Sequence, residues 1–211
     1  MKLFNSTKKW SSWWQRRKID WKTHYMNPDH PHRTLLAQVV NSSNWLSLIE
    51  LGCGAGANLV TILKGIKGAK QLGGVDINPD AIALANQTFR GGLFKVNSGD
   101  DVMMSDKATD VILTDMYLIY MTPSRMKKQL TEIKRLTRSH VVFCEFHSKS
   151  WWQRLVLKYK EGYNMYNYQR LLEKHGFYDI SLFKIPKDFW PESDLQQKYA
   201  YIVVARVPRD Y

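Results

Sequence analysis

The stretch Ser47 to Gly56 (SLIELGCGAG) constrains this chain more than any other. Leu48, Ile49 and Leu51 read as a short buried strand with Glu50 at its end, and Gly52, Gly54 and Gly56 then force a tight turn. Ala57 to Lys64 follows with apolar Leu59, Val60, Ile62 and Leu63, the pattern of a helix packed on a sheet. Strand, glycine loop and helix N-terminus together let a ligand approach the backbone and meet free N–H groups. By spacing, Gly52, Gly54 and Ala57 also satisfy G-x-G-x-x-A, so the loop alone does not choose among nucleotide ligands.

The same alternation continues on both sides of the loop. A helix starting near Pro31 buries Leu35, Leu36, Val39 and Val40 and carries Arg33 in its first turn, within reach of a carboxylate. His30 and His32 have no nearby Cys or further His, so a metal site is not expected. Gln71 to Ile77 reads as a second strand ending in Asp76, 20 residues beyond Gly56, where a ribose-binding acid is expected; capping of the next helix by Asp76 or Asn78 is the other reading. A third strand, Leu93 to Val96, ends in NSGDD, and Asp100 there faces the same crevice and suits an exocyclic amine.

Asp110 to Asp115 is a fourth buried strand, with Tyr117 and Tyr120 just beyond it at the mouth of the site. After the helix Ser124 to Thr137, a fifth strand, Val141 to Phe146, brings Glu145 and His147 to the same rim. The tail differs. Beyond a helix over Tyr166 to His175, Tyr178 to Ile185 and Tyr199 to Val207 are β-rich runs joined by a polar loop without room for a crossover helix, which makes them antiparallel neighbours.

Over residues 33 to 207 this order of elements resembles the class I S-adenosylmethionine-dependent methyltransferases. The resemblance implies an α/β, three-layer Rossmann-like sandwich with a mostly parallel seven-stranded sheet and an antiparallel last strand. It implies an enzyme that transfers the methyl group of S-adenosylmethionine and leaves S-adenosylhomocysteine. The implied cofactor residues are Arg33 before the first strand, Glu50, Gly52, Cys53, Gly54 and Asn58 around the glycine loop, Asp76 and Ile77 after the second strand, Asp100 and Asp101 after the third, and Asp115 after the fourth. Tyr117 and His147 are the candidate catalytic residues, with Glu145 and Tyr120 as further candidates for a base, although a base is optional when the methyl group is already activated. A dehydrogenase fits less well. Glu50 before the first glycine would repel a pyrophosphate, and no second mononucleotide-binding half follows.

Composition bears mainly on the partner. The formal charge of +12 divides into +6 over residues 1–40, −2 over 41–124 and +8 over 125–211, which points to an anionic partner or a membrane surface at the flanks, or to a solvated basic face. Residues 1–32 read as a basic aromatic extension or lid on a cofactor-binding domain over 33–211. Trp10, Trp13, Trp14 and Trp21 alternate with Lys8, Lys9, Arg16, Arg17 and Lys18, as suits a membrane interface, a polyanion or a roof over the active site. The segment 148–168, with Trp151, Trp152, Tyr159, Tyr163 and Tyr166, reads as a second lid. Amino-group methylation of nucleic-acid bases usually comes with D/N-P-P-Y/F after the fourth strand, and Asp115-Met116-Tyr117-Leu118 lacks its prolines. The expected acceptor is therefore a small molecule, a glycan or a lipid-linked intermediate, with an RNA methyltransferase or nucleic-acid-binding protein as the alternative. Without a signal-peptide core or a bilayer-length apolar run, a cytoplasmic protein is expected.

Overall fold

The computed structural model describes residues 6–66, 68 and 70–208. Residues 1–5 of the tryptophan-rich extension, and the side chains of Lys8 and Lys9 within it, lie outside that description. Seven strands, β1 Ser47–Leu51, β2 Gln71–Asp76, β3 Leu93–Val96, β4 Thr109–Asp115, β5 Thr137–Phe146, β6 Tyr178–Lys184 and β7 Ala200–Arg206, form one sheet in the order β3-β2-β1-β4-β5-β7-β6. The first five strands run parallel, and β7 pairs antiparallel with both β5 and β6, as expected. The helices are α1 Ser6–Arg16, α2 Trp21–His24, α3 Pro31–Asn41, α4 Ala57–Lys64, α5 Pro79–Thr88, α6 Pro123–Leu136, α7 Trp151–Glu161, α8 Tyr168–Lys174 and α9 Asp194–Tyr199.

Three layers follow from the two-residue period of the central strands. Leu48, Val111, Leu113 and Val142 point to one face and pack with Leu36 and Val40 of α3 and Leu59 and Ile62 of α4. Their neighbours Ile49, Ile112, Val141 and Phe143 point to the other and pack with Met126, Leu130 and Ile133 of α6 and with Tyr168 and Leu172 of α8. Because both faces are covered, the central strands are apolar nearly throughout. Among the described residues no helix is long and apolar enough to cross a membrane.

Three local features differ from the sequence reading. β5 begins at Thr137, because α6 ends at Leu136 and Thr137 pairs directly with Thr109. The link between β6 and β7 is not simply polar: a 3₁₀ turn at Lys187–Phe189 and α9 bring Trp190 and Tyr199 into the core. The segment expected to be a second lid holds α7, capped by Ser150 and stopped by Gly162 at φ 75°, which leaves Trp151, Trp152 and Tyr159 in solvent. Tyr163, just past that helix, does reach the roof of the site.

Candidate active site

The C-terminal ends of β1, β2 and β4 open into a cavity of about 420 Å³, within the range of small-ligand sites. Its floor is the glycine loop. Gly52 and Gly54 hold φ of 74° and 52°, and a Cβ on Gly52 would stand 2.6 Å from the Tyr117 ring, so side chains are excluded here by both backbone and neighbour. Asp76 ties this loop to β2 by accepting from the N–H groups of Gly54 (2.9 Å) and Asn78 (2.8 Å). Capping of α5 falls to Asn78, whose Oδ1 accepts from Asp80 and Ala81, so the Asp76 side chain is left at the cavity wall.

A buried polar network joins β1, β4, α3 and α4. The Asn58 amide donates to Glu50 Oε1 (2.6 Å) and to Asp115 Oδ2 (3.0 Å), and Asn58 Oδ1 accepts a short bond from Arg33. His32 Nε2 lies 3.0 Å from Asp115 Oδ2, and the His32 ring stacks on Trp190 at 3.9 Å. Three buried atoms in this network have no partner: Glu50 Oε2, Asp115 Oδ1 and Arg33 Nε. Burial pushes the Glu50 carboxyl up to about 8, against the pull of the Asn58 bond. Burial would raise Asp115 too, but His32, Arg33 and Asn58 outweigh it and hold that carboxyl well below the usual range. Burial lowers the His32 imidazole, against the attraction of Asp115. The strand ends therefore differ: β1 presents a group that readily takes a proton, and β4 presents an anion. Just beyond β4, Met116 holds φ 50°, an uncommon conformation for a non-glycine residue, at the turn that sets Asp115.

The roof is aromatic. Trp10 and Trp14 of α1, Trp21 of α2, Tyr25 and Tyr120 line the cavity together with Tyr117. Trp10 stacks on Tyr163 (5.4 Å) and donates its indole N–H to Gly162 O (3.2 Å), while Trp14 meets Tyr120, Tyr25 and Trp21. The Trp21 indole N–H is buried and unpartnered.

Of the residues anticipated from sequence, Arg33, Glu50, Gly52, Cys53, Gly54, Asn58, Asp76, Ile77, Asp115 and Tyr117 line this one cavity. Asp100 and Asp101 do not. Asp100 is drawn off by Arg125 Nε at 2.8 Å and Asp101 is exposed, so Asn97, Ser98 and Arg125 form the wall there.

The two candidate bases also need correcting. The Tyr117 hydroxyl sits 2.8 Å from Ser98 O and 3.0 Å from Gln129 Oε1, and burial raises its pKa, so it offers the cavity a ring and not a base. His147 is off the cavity, with Nδ1 accepting from the N–H of Tyr168 and its ring against Tyr201. Glu145 is fully buried, and its Oε1 accepts from Thr114 and from the N–H groups of Tyr117 and Leu118. The sequence reading missed His32, Trp190, Gln196 and Arg125 as cavity walls. The His30-Pro31-His32 step at the start of α3 is the available signal, since it sets two imidazoles at the helix start nearest the glycine strand. Among the described residues, no three His, Cys, Asp or Glu side chains are placed to hold a metal ion.

Residues 48–140 match a family model described as a methyltransferase domain. No curated protein matches the chain in sequence. In fold the chain is similar to the N-methyltransferase NodS from Bradyrhizobium japonicum, solved with S-adenosylhomocysteine, at TM-score 0.71 and 14% identity over 97% of this chain and 100% of that one. It is similar to the geranyl diphosphate C-methyltransferase of Streptomyces coelicolor, solved with Mg²⁺, geranyl diphosphate and S-adenosylhomocysteine (TM-score 0.69, 11% identity, 98% and 100% covered). It is also similar to the magnesium protoporphyrin IX methyltransferase of Synechocystis with bound S-adenosylmethionine (TM-score 0.63, 14% identity, 99% and 100% covered).

Proposed function

We propose that the chain is a class I S-adenosylmethionine-dependent methyltransferase, as the methyltransferase-domain match over residues 48–140 and the order of the sheet support, and that its acceptor is a small molecule or a sugar held under the roof of α1 and α2. The observation that carries this reading is the cavity itself, with a polar, carboxylate-bearing floor at the strand ends and an aromatic ceiling opposite. Flat rings suit an apolar or sugar acceptor, and the unpartnered Trp21 N–H offers it one hydrogen bond. Two of the neighbours named above act on small molecules, geranyl diphosphate and magnesium protoporphyrin IX, which is consistent with an acceptor of that class.

The residues present suit the cofactor. The anionic Asp115, whose Oδ1 is free, matches a cationic amino-acid end, Glu50 Oε2 adds a second acceptor there, and Arg33 matches its carboxylate. Asp76 would take the ribose, the backbone of Gly52, Cys53 and Gly54 would lie beneath it, and Ile77, Asn97 and Ser98 would flank the base. When bound, S-adenosylmethionine supplies a methyl group already activated on a sulfonium. The chain's own task is to hold the acceptor in line and exclude water, and such positioning contributes about 7–11 kcal/mol. We read residues 6–32 as the lid of this site.

Calorimetry with S-adenosylhomocysteine tests the cofactor reading. Asp76→Ala removes a charged hydrogen-bond partner, a loss of about 1.5–3 kcal/mol, so the affinity should fall by roughly 10- to 150-fold. Asp76→Asn keeps an acceptor for only one of the two N–H groups, that of Gly54 or that of Asn78, so thermal unfolding of both variants separates the loss of affinity from damage to the loop. Equal affinities for both variants and the parent protein would remove Asp76 from the site. Transfer of tritiated methyl groups into fractionated cell extract tests the acceptor. Label is expected in the small-molecule fraction, and label confined to nucleic acid would overturn that reading.

A further inference from the structure

One face of α7 carries large apolar side chains that the fold leaves uncovered. Trp151, Trp152, Leu155 and Tyr159 stand 67%, 58%, 49% and 90% exposed. At about 100° per residue these four fall within an arc of about 100°, and Leu157, the buried residue of the helix, lies on the opposite side. The stripe is therefore aimed straight out from the fold. Exposed apolar side chains grouped in this way mark a contact surface. We propose that this face of α7 docks on the surface of an anionic membrane.

The side chains are of the interfacial kind, since an indole or a phenol has an apolar body and one polar end and sits well at the level of lipid headgroups. The charge around them has the matching sign. Residues 149–161 carry four basic side chains against a single acid, Glu161. Lys158 borders the stripe, and Lys149 and Lys160 stand exposed toward its two ends, where a lysine can lay its stem on apolar surface and reach a phosphate with its head. Arg154 is held back by the carbonyls of Ser148 and Lys149, to which its Nη1 donates. Size also favours a bilayer over a protein. Four apolar side chains and their lysines fall far short of the roughly 20–30 residues a side of a stable protein interface, but they suit a short amphipathic helix lying in the headgroup boundary. A nucleic-acid strand fits less well, because Trp151 and Trp152 meet edge to face at 77° and a convex helix offers no groove to follow a backbone.

The other basic aromatic helix is engaged differently. Trp10 and Trp14 of α1 are turned onto the roof, and the roof is fastened to the end of α7: Gly162 O accepts the Trp10 indole N–H at 3.2 Å, and Tyr163 stacks on Trp10. A bilayer that holds α7 therefore holds the segment to which the roof is tied.

Cosedimentation of the intact protein with vesicles of phosphatidylcholine and phosphatidylserine, in a ratio of about 2:1, tests the proposal. The protein is expected to bind these vesicles and to bind phosphatidylcholine alone far more weakly. Trp151→Ala/Trp152→Ala should weaken binding by at least about tenfold while its unfolding curve stays with that of the parent protein. Lys149→Gln/Lys158→Gln/Lys160→Gln should weaken it by about 100-fold, and added salt should weaken the parent protein in the same direction. Amide exchange over residues 151–161 should slow on the anionic vesicles. The proposal is overturned if the parent protein stays in the supernatant, if both variants bind as the parent does, or if exchange in α7 is unchanged by vesicles. It is also overturned if Trp151→Ala/Trp152→Ala instead abolishes binding to RNA or a concentration-dependent dimer, since the face would then belong to that partner. The measurement needs neither cofactor nor acceptor, so its failure leaves the methyl-transfer reading standing, and failure of that reading leaves the docking face standing.

Discussion

Two parts of the molecule carry nearly the same side chains and use them in opposite ways. In α1 and α2, Trp10, Trp14 and Trp21 fold inward over the cavity against Tyr25, Tyr120 and Tyr163. In α7, Trp151 and Trp152 lie 5.6 Å apart, edge to face, and stand 67% and 58% exposed. Both stretches are basic, aromatic and helical, so composition does not separate them. What separates them is the surface opposite. Trp10 and Trp14 stand one turn apart and meet a mouth already lined with tyrosines. The buried residue of α7 is Leu157, which leaves the adjacent Trp151 and Trp152 on the solvent side.

The strongest way to break this contrast is to truncate one tryptophan from each class. Trp21 is 6% exposed and packs over Gly54, so Trp21→Ala should cost about 3–5 kcal/mol and lower the melting temperature by on the order of 10 °C. The double variant Trp151→Ala/Trp152→Ala should change stability by no more than about 0.5 kcal/mol, because little apolar area is lost. Thermal unfolding of the two proteins decides it. Comparable losses would mean that α7 is also covered.

A smaller test sharpens what fastens the roof. Trp10→Phe keeps an aromatic ring against Tyr163 but removes the indole bond to Gly162 O, a loss of about 1 kcal/mol. Amide exchange over residues 10–17 should then quicken by about fivefold, with the strands unaffected. Faster exchange spread evenly through the sheet would place Trp10 in the core and not in a roof.

The two tryptophan regions also show which parts of the site were legible in the sequence. Glu50, Asp76 and Asp115 were found because each closes an apolar run, and a parallel sheet sends such ends to one side. The antiparallel tail was found although its connection holds α9, because a helix of six residues is too short to carry the chain back across the sheet. The pairings across the chain were not readable: His32 with Asp115 spans 83 residues, and His30 with Glu192 spans 162. Asp100 was misplaced for the same reason, since Arg125, which pulls it from the cavity, belongs to a helix 25 residues away. The rim expected at the end of β5 failed differently. Glu145 is needed inside to receive the N–H groups of Tyr117 and Leu118 at the turn after β4, and only the folded turn shows that demand.

Within the roof itself, the smallest effect is expected at its outer edge. Arg17 lies with its guanidinium 3.9 Å over the Trp13 ring, in a pair open to solvent, where a cation–π contact is worth about 0.5–1 kcal/mol. The exit of α1 is held by a different group, the Arg17 carbonyl, which accepts from Asn78 Nδ2 at 2.9 Å and survives any change of side chain. Arg17→Ala should therefore lower the melting temperature by no more than about 3 °C and leave S-adenosylhomocysteine affinity unaltered. A shift as large as that of Trp21→Ala, measured in the same unfolding experiment, would show that the basic face of α1 and not its tryptophan stripe fixes the lid.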